Sequence, residues 1–293
     1  MSGTLGQALH HGLSLGLPRL EVQMLLLLAV QQDPANRAWL LAHDQDSLSA
    51  DSAARYEALL QRRCNGEPLA YLRGSKEFFG LNLQVDARVL DPRDDTETLV
   101  EWALACLQEM RQPSPLVLDL GTGSGAIALA LQAQHPQAQV WAVDASEAAL
   151  AVAQGNAKRL GLPIRCVHSH WFDALAGQPF HLVVSNPPYI AENDPHLPAL
   201  RHEPLSALVS GRDGLDDIRA LVRAAPRHLK AQGWLLLEHG HEQAQAVRAL
   251  LNQAGFAAVQ SRCDLAGIER CSGVKAGHFG ATAPARHGNE ISW

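Results

Sequence analysis

From Pro115 onward, short apolar runs alternate with stretches of helical periodicity, and this alternation limits the fold more than any other feature. The runs are residues 116–120, 139–144, 164–168, 181–185, 234–238 and 257–262. Helical stretches at 126–134, 147–160, 216–229 and 242–253 lie among them. Apolar strands alternating with helices predict a parallel sheet covered on both faces, because each strand must hide two sides from water. Ligands of such α/β sheets bind beyond the carboxyl ends of the strands.

Two segments follow strands in that region. Val117-Leu118-Asp119-Leu120-Gly121-Thr122-Gly123-Ser124-Gly125 runs from a strand into a glycine-rich turn that opens a helix. Glycines let backbone approach a ligand, and the helix N-terminus offers free amides. Asp144, at the end of the next strand, can accept both hydroxyls of a ribose. These two features alone leave a dinucleotide site open. The second segment is Ser185-Asn186-Pro187-Pro188-Tyr189-Ile190, after the fourth strand of the series. Two prolines remove two backbone donors, so the Pro187 carbonyl is left to accept from a ligand. Asn186 adds a side-chain carbonyl, and Tyr189 a flat face for stacking. Two acceptors beside an aromatic face suit a planar NH2 group.

The rest of the chain frames this region. Residues 1–77 read as a small helical bundle: Leu5, Leu9, Leu13, Leu20, Met24, Leu27 and Leu28 recur at helical spacing. Pro18 and Pro34 sit where helices can begin, and Asp51 can cap another. Phe79, Leu81, Leu83 and Val85 alternate with polar residues and glycine, so residues 78–90 read as a hairpin and joint. Residues 91–276 form the α/β domain, and 277–293 read as a flexible tail. The run from Met24 to Val30 is too short to span a bilayer and lacks the flanks of a signal peptide, which predicts a buried helix and a cytoplasmic chain. Five scattered cysteines with no CxxC pair argue against disulfides or zinc, and no metal is expected. A net charge of −6 argues against life on a nucleic-acid backbone, although Arg62, Arg63, Arg73, Lys76 and Arg93 gather in one stretch that reads as solvated surface. His239 and His241 beside Glu238 and Glu242 read as solvated or structural, and His168 and His170 as a strand end and its loop.

The glycine loop, the acidic residue and Asn-Pro-Pro-Tyr, in this order, resemble the class I S-adenosylmethionine-dependent methyltransferases acting on nitrogen. The resemblance extends over nearly the whole chain to the release factor N(5)-glutamine methyltransferases. It is carried by Gly66-Glu67-Pro68-Leu69-Ala70-Tyr71-Leu72, Glu77-Phe78-Phe79-Gly80-Leu81, Asp144-Ala145-Ser146 and the stretch from Ala151 to Ala157. Asp194-Pro195-His196-Leu197, Glu203-Pro204, Gly211, Asp213-Gly214-Leu215-Asp216 and Leu236-Leu237-Glu238-His239-Gly240 continue it. Asp91 and Asp94 depart from the family pattern and are expected to loosen the segment entering the catalytic domain.

The resemblance implies a Rossmann-like class I methyltransferase sheet with helices on both faces, plus the small N-terminal helical bundle. It implies S-adenosylmethionine as cofactor, with Gly121, Thr122, Gly123, Ser124 and Gly125 at its amino-acid end, Asp144 at its ribose and Trp171 at its adenine. Asn186 is counted with the cofactor set as well. For Trp171 a plain core aromatic is the other reading. Asn186, Pro187 and Tyr189 are the candidate catalytic residues, and Asn186, Pro187, Pro188 and Tyr189 the candidate substrate set. Arg201 and Glu203 either meet substrate backbone or pin the loop after Tyr189. The implied acceptor is the glutamine of a release factor's Gly-Gly-Gln motif, with the helical bundle holding that protein. A glutamine on a ribosomal protein is the alternative, and an amino group of a nucleic-acid base a more distant one; direct binding of nucleic acid is not expected.

Overall fold

The computed structural model describes residues 3–175 and 177–277. Five helices come first: α1 (Leu5–Ser14), α2 (Arg19–Ala29), α3 (Arg37–Ala42), α4 (Ala50–Cys64) and α5 (Leu69–Arg73). A capping box opens α1, with Thr4 Oγ1 accepting from the Gln7 amide and Gln7 Oε1 from the Thr4 amide. Pro18 immediately precedes α2, as the sequence predicts. Pro34 starts no helix: Asp33 folds back onto the Ala35 amide, and α3 waits for the Asn36 cap. Ser49, not Asp51, caps α4, and Asp51 sits in its first turn, where a carboxylate still suits the helix dipole. Leu5, Val22, Leu25, Leu26, Leu27, Tyr56 and Leu60 form a core of their own. Among the described residues no helix is long and apolar enough to cross a membrane.

A hairpin of β1 (Ser75–Phe78) and β2 (Leu81–Gln84) follows, turning on Phe79 and Gly80, both at positive φ. That pair of dihedrals matches the twist of a two-residue hairpin loop. Next come α6 (Glu97–Met110), β3 (Leu116–Leu120), α7 (Ala126–Gln134), β4 (Gln139–Asp144), α8 (Glu147–Leu160), β5 (Arg165–His168) and β6 (Phe180–Ser185). The chain finishes with α9 (Asp216–Ala224), β7 (Leu229–Glu238), α10 (Ala244–Gln253), β8 (Gln260–Cys263) and β9 (Glu269–Lys275). The helix predicted over 216–229 stops at Ala224 and passes through a 3-10 turn at Ala225–Arg227, where Pro226 cannot donate to the helix. The tail from residue 278 lies outside the described residues.

Strand order is β5-β4-β3-β6-β7-β9-β8. The first five strands are parallel, but β9 runs antiparallel to β7 and β8 antiparallel to β9. The all-parallel expectation is therefore corrected to a mixed sheet. The short link between β8 and β9 can close a hairpin but cannot make the crossover that parallel strands need. Side chains alternate across the sheet, as a period of two requires. Leu182, Val184, Trp234 and Leu236 face α6 and α7, whereas Val183, Leu235 and Leu237 face α9 and α10. Each such buried side chain contributes roughly 1.5–3 kcal/mol. The chain leaves β3 toward β4 and β5, then returns to lay β6 on the other side of β3. That reversal opens a crevice at the strands' carboxyl ends.

Candidate active site

The loop after β3 is held from below. Asp119 is fully buried, and its Oδ2 accepts from the Thr122 hydroxyl at 2.6 Å and the Ala128 amide at 3.2 Å. Burial pushes its carboxyl up to about 7 against those two hydrogen bonds. Gly121 and Thr122 donate backbone N–H groups to the Val143 carbonyl, fastening the loop to β4. Gly125 has φ +84, and a Cβ there would stand 3.1 Å from Leu129 and 3.3 Å from Ala153. Only glycine allows both that dihedral and that approach of α7 to α8.

A cavity of about 370 Å³ opens above the loop, within the roughly 300–1,000 Å³ range of ligand sites. Gly121, Gly123, Asp144, Trp171, Asn186 and Pro188 line it. Thr122, Ser124 and Gly125 stay beneath as the loop's support: the first two are buried, and Gly125 is packed against α8. Asp144 accepts from the amides of Gly123 and Ser146, each at 2.9 Å, and burial raises its carboxyl against them. Trp171 sits at φ +46, an outlier for so bulky a residue, and its indole N–H donates to Asp217 at 3.1 Å. Two carboxylates, Asp144 and Asp217, thus line the cavity, while its Arg88 is already paired with Asp86 at 2.6 Å. That charge balance, a ribose-sized acceptor and an aromatic wall fit a cationic nucleoside.

A second cavity of about 560 Å³ lies between the helical bundle and the catalytic domain. Its walls include Arg63, Pro68, Asp91, Arg93, Asn186, Tyr189 and Glu203. Asn186 is common to both cavities, with Pro188 on one side and Tyr189 on the other. The Asn186 amide nitrogen donates to the Thr96 hydroxyl at 3.1 Å, which leaves Oδ1 for a ligand. Pro187 is buried, and no described donor reaches its carbonyl. Gln243 donates to the Tyr189 carbonyl at 3.0 Å, and burial raises the Tyr189 phenol well above its ordinary value. Gly214, at φ +75, presses so close to that carbonyl that a side chain there has no room.

Glu203 pins the loop: it is buried, pairs with Arg93 at 2.5 Å and accepts from the Asp91 amide at 3.2 Å. Arg201 and His202 both reach the Asn65 carbonyl of the bundle. Asp94 pairs with Lys76 at 2.9 Å. Asp91 is different: its Oδ2 lies 3.7 Å from Arg93, burial raises its carboxyl against that pair, and its Oδ1 has no hydrogen-bond partner among the described residues. His239 is fully buried against Ser272 and Gly240, a structural role, while His241 is exposed beside Glu242. No cluster able to hold a metal occurs among the described residues.

Residues 8–74 match the PrmC N-terminal domain, and residues 100–202 the Methyltransferase small domain. The chain is 51% identical over 261 residues to a release factor glutamine methyltransferase of Bordetella pertussis, covering 88% of this chain and 95% of that one. It belongs to the release factor glutamine methyltransferase family. The enzymes of that name from Pseudomonas aeruginosa and Escherichia coli are 48% and 44% identical, across 86% and 80% of this chain and 90% and 84% of theirs. Membership makes the chain a methyltransferase whose methyl donor is S-adenosylmethionine. In fold it is similar to the hMettl16 catalytic domain solved in complex with MAT2A 3′UTR hairpin 6, with TM-score 0.54 at 14% identity over 76% of this chain and 81% of that one. A SAM-dependent methyltransferase from Agrobacterium tumefaciens gives TM-score 0.51 at 17% identity, over 69% of each chain.

Proposed function

We propose that the chain methylates the side-chain amide nitrogen of the glutamine in the Gly-Gly-Gln motif of peptide chain release factors, in the cytoplasm. The observation that supports this most is Asn186 standing in the wall between two cavities. One cavity suits the methyl donor, and the other, floored by Tyr189, is open toward the helical bundle and admits a peptide loop. The relatives' printed names supply the acceptor protein.

Bound in the smaller cavity, S-adenosylmethionine supplies an electrophilic methyl group. The chain's residues solve the other half of the problem. An amide nitrogen is a poor nucleophile because its lone pair is delocalised into the carbonyl. Asn186 Oδ1 and the Pro187 carbonyl take the two acceptor N–H groups, turning the lone pair toward the donor and favouring a pyramidal nitrogen. Tyr189 and Pro188 hold the amide plane from either side of Asn186. No strong base is required before attack, since the nitrogen becomes acidic once alkylated. Asp144 and the loop from Gly121 to Gly125 bind and orient the donor, with Trp171 against its base. Arg93, Glu203 and the Asn65 contacts keep the peptide cavity's walls together. The helical bundle is read as the holder of the release factor outside the reacting loop.

The test is methyl transfer from labelled S-adenosylmethionine to release factors, ribosomal proteins and nucleic acid in parallel. Label on the release factor supports the proposal. Label on ribosomal protein or nucleic acid alone would keep fold and donor but replace the acceptor.

A further inference from the structure

The end of β7 brings a carboxylate up against the side chain on which the acceptor reading depends. Glu238 is 1% exposed and follows Leu237, which pairs with Ser185 of β6, so it stands beside Asn186 at the ends of the two strands. Thr96, itself 4% exposed, accepts the Asn186 amide at 3.1 Å. Glu238 Oε2 has no hydrogen-bond partner among the described residues. A charged group so placed is costly, and the strand before it is leucine from 235 to 237. Packing alone does not call for it.

We infer that Glu238, together with Thr96, is a positioning residue that fixes the orientation of the Asn186 amide and polarises its Oδ1 toward the acceptor nitrogen. The inference rests on the reading of Asn186 given above. An ionised carboxylate can only accept hydrogen bonds. It therefore tolerates the NH2 end of Asn186 and rejects the carbonyl end, so Oδ1 must turn to the ligand. Negative charge behind the NH2 group also draws the amide toward its charge-separated form. That enriches Oδ1 as positive charge grows on the nitrogen being methylated. Protonated, the same carboxyl can donate, and the selection is lost.

Several groups face Glu238. Burial pushes its carboxyl up to about 7 and Asp95 adds to that, while Thr96, Arg270 and Asn186 oppose it. Arg270 is shared, pairing with Asp95 at 3.0 Å and Asp264 at 2.8 Å. Tyr189 and Cys271 also face it, and the ionisation of each is pushed up by burial first and by Glu238 second. His239, next in the chain, is held by Ser272 and Gly240.

The experiment measures kcat from about pH 5.5 to about pH 9 with the full chain, S-adenosylmethionine and intact release factor. It compares the native chain with Glu238→Gln, Thr96→Val, Thr96→Ser and Asn186→Ala. Native turnover should fall on the acid side of about pH 7. Glu238→Gln should lower kcat by about tenfold or more at the alkaline end and lose that acid limb, with donor affinity by calorimetry within about threefold. Thr96→Val should lower kcat and Thr96→Ser should restore most of it. Glu238→Gln with native kcat, or with the acid limb intact, overturns the inference. Should Glu238→Gln fail to bind the donor, the Thr96 pair decides, and native kcat in Thr96→Val overturns it. Turnover surviving in Asn186→Ala removes the reading of the site itself; turnover lost there but kept in Glu238→Gln removes only this inference.

Discussion

Asn156 offers a sharp test of how the cofactor loop is held. Its side chain is fully buried in α8 and makes three hydrogen bonds to backbone. Nδ2 donates to the Gln84 carbonyl at 3.0 Å and the Ser124 carbonyl at 2.9 Å, while Oδ1 accepts from the Gln84 amide at 2.7 Å. One side chain therefore ties the interdomain hairpin to the glycine loop. Asn156→Ala removes all three bonds, each worth a net ~1 kcal/mol, and strands buried backbone groups that were paired. The expected loss is about 3 kcal/mol, which at ~2–4 °C per kcal/mol lowers Tm by roughly 6–12 °C. Asn156→Asp should also destabilise, because the oxygen replacing Nδ2 faces the Gln84 and Ser124 carbonyls, and Arg159, which already donates to Oδ1 at 3.2 Å, offsets only part of that. Urea unfolding followed by tryptophan fluorescence measures the loss, and calorimetry with S-adenosylmethionine should show weakened donor binding as the loop loosens. A loss below about 1 kcal/mol with donor affinity unchanged would refute this account of the loop.

Three further outcomes follow from the same structure. Trp171→Ala should weaken S-adenosylmethionine binding about tenfold or more by calorimetry, whereas unchanged affinity would leave the ring only its packing role. Asp91→Asn should raise Tm by ~2–4 °C at pH 7–8, since a buried carboxyl with raised folded pKa destabilises the fold once it is ionised. That cost is absent below the unfolded pKa, grows between the unfolded and the folded value and is complete above it, so the gain should vanish in acid; a gain equal at all pH values would contradict it. Removing residues 1–66 while keeping α5, whose Tyr71 belongs to the catalytic core, should raise KM for intact release factor about tenfold. KM for a short Gly-Gly-Gln peptide should rise much less, through loss of the Arg63 and Asn65 contacts alone, and equal effects on both would argue against recognition by the bundle.

What the sequence discloses and what it hides divide along physical lines. The glycine turn and the run from Asn186 to Tyr189 are contiguous, so their chemistry can be read without coordinates. The strands of the sheet core are legible because each faces helices on both sides and is apolar throughout. The direction of β9 is not legible, since strand pattern is indifferent to parallel or antiparallel pairing. Most hidden are the residues that support the site from elsewhere in the chain. Thr96, Asn156, Asp217, Glu238 and Gln243 each touch a predicted site residue or its loop, yet none lies in a motif whose spacing announces that contact. Asp119 stands inside the glycine-turn segment, but only burial reveals it as the anchor beneath Thr122. Glu238 carries a signal in hindsight, a carboxylate closing an otherwise apolar strand that runs to the ligand edge of the sheet. The same pattern would equally fit a solvated strand end.

The most direct measurement maps the methyl group. Intact release factor is incubated with S-adenosylmethionine and either the native chain or Asn186→Ala, digested, and sequenced by tandem mass spectrometry. One added methyl on the side-chain nitrogen of the Gly-Gly-Gln glutamine, present with the native chain and lost with Asn186→Ala while donor binding persists, is the predicted result. A methyl on any other residue, or equal methylation by Asn186→Ala, would contradict the assignment of Asn186 as the group that presents the acceptor.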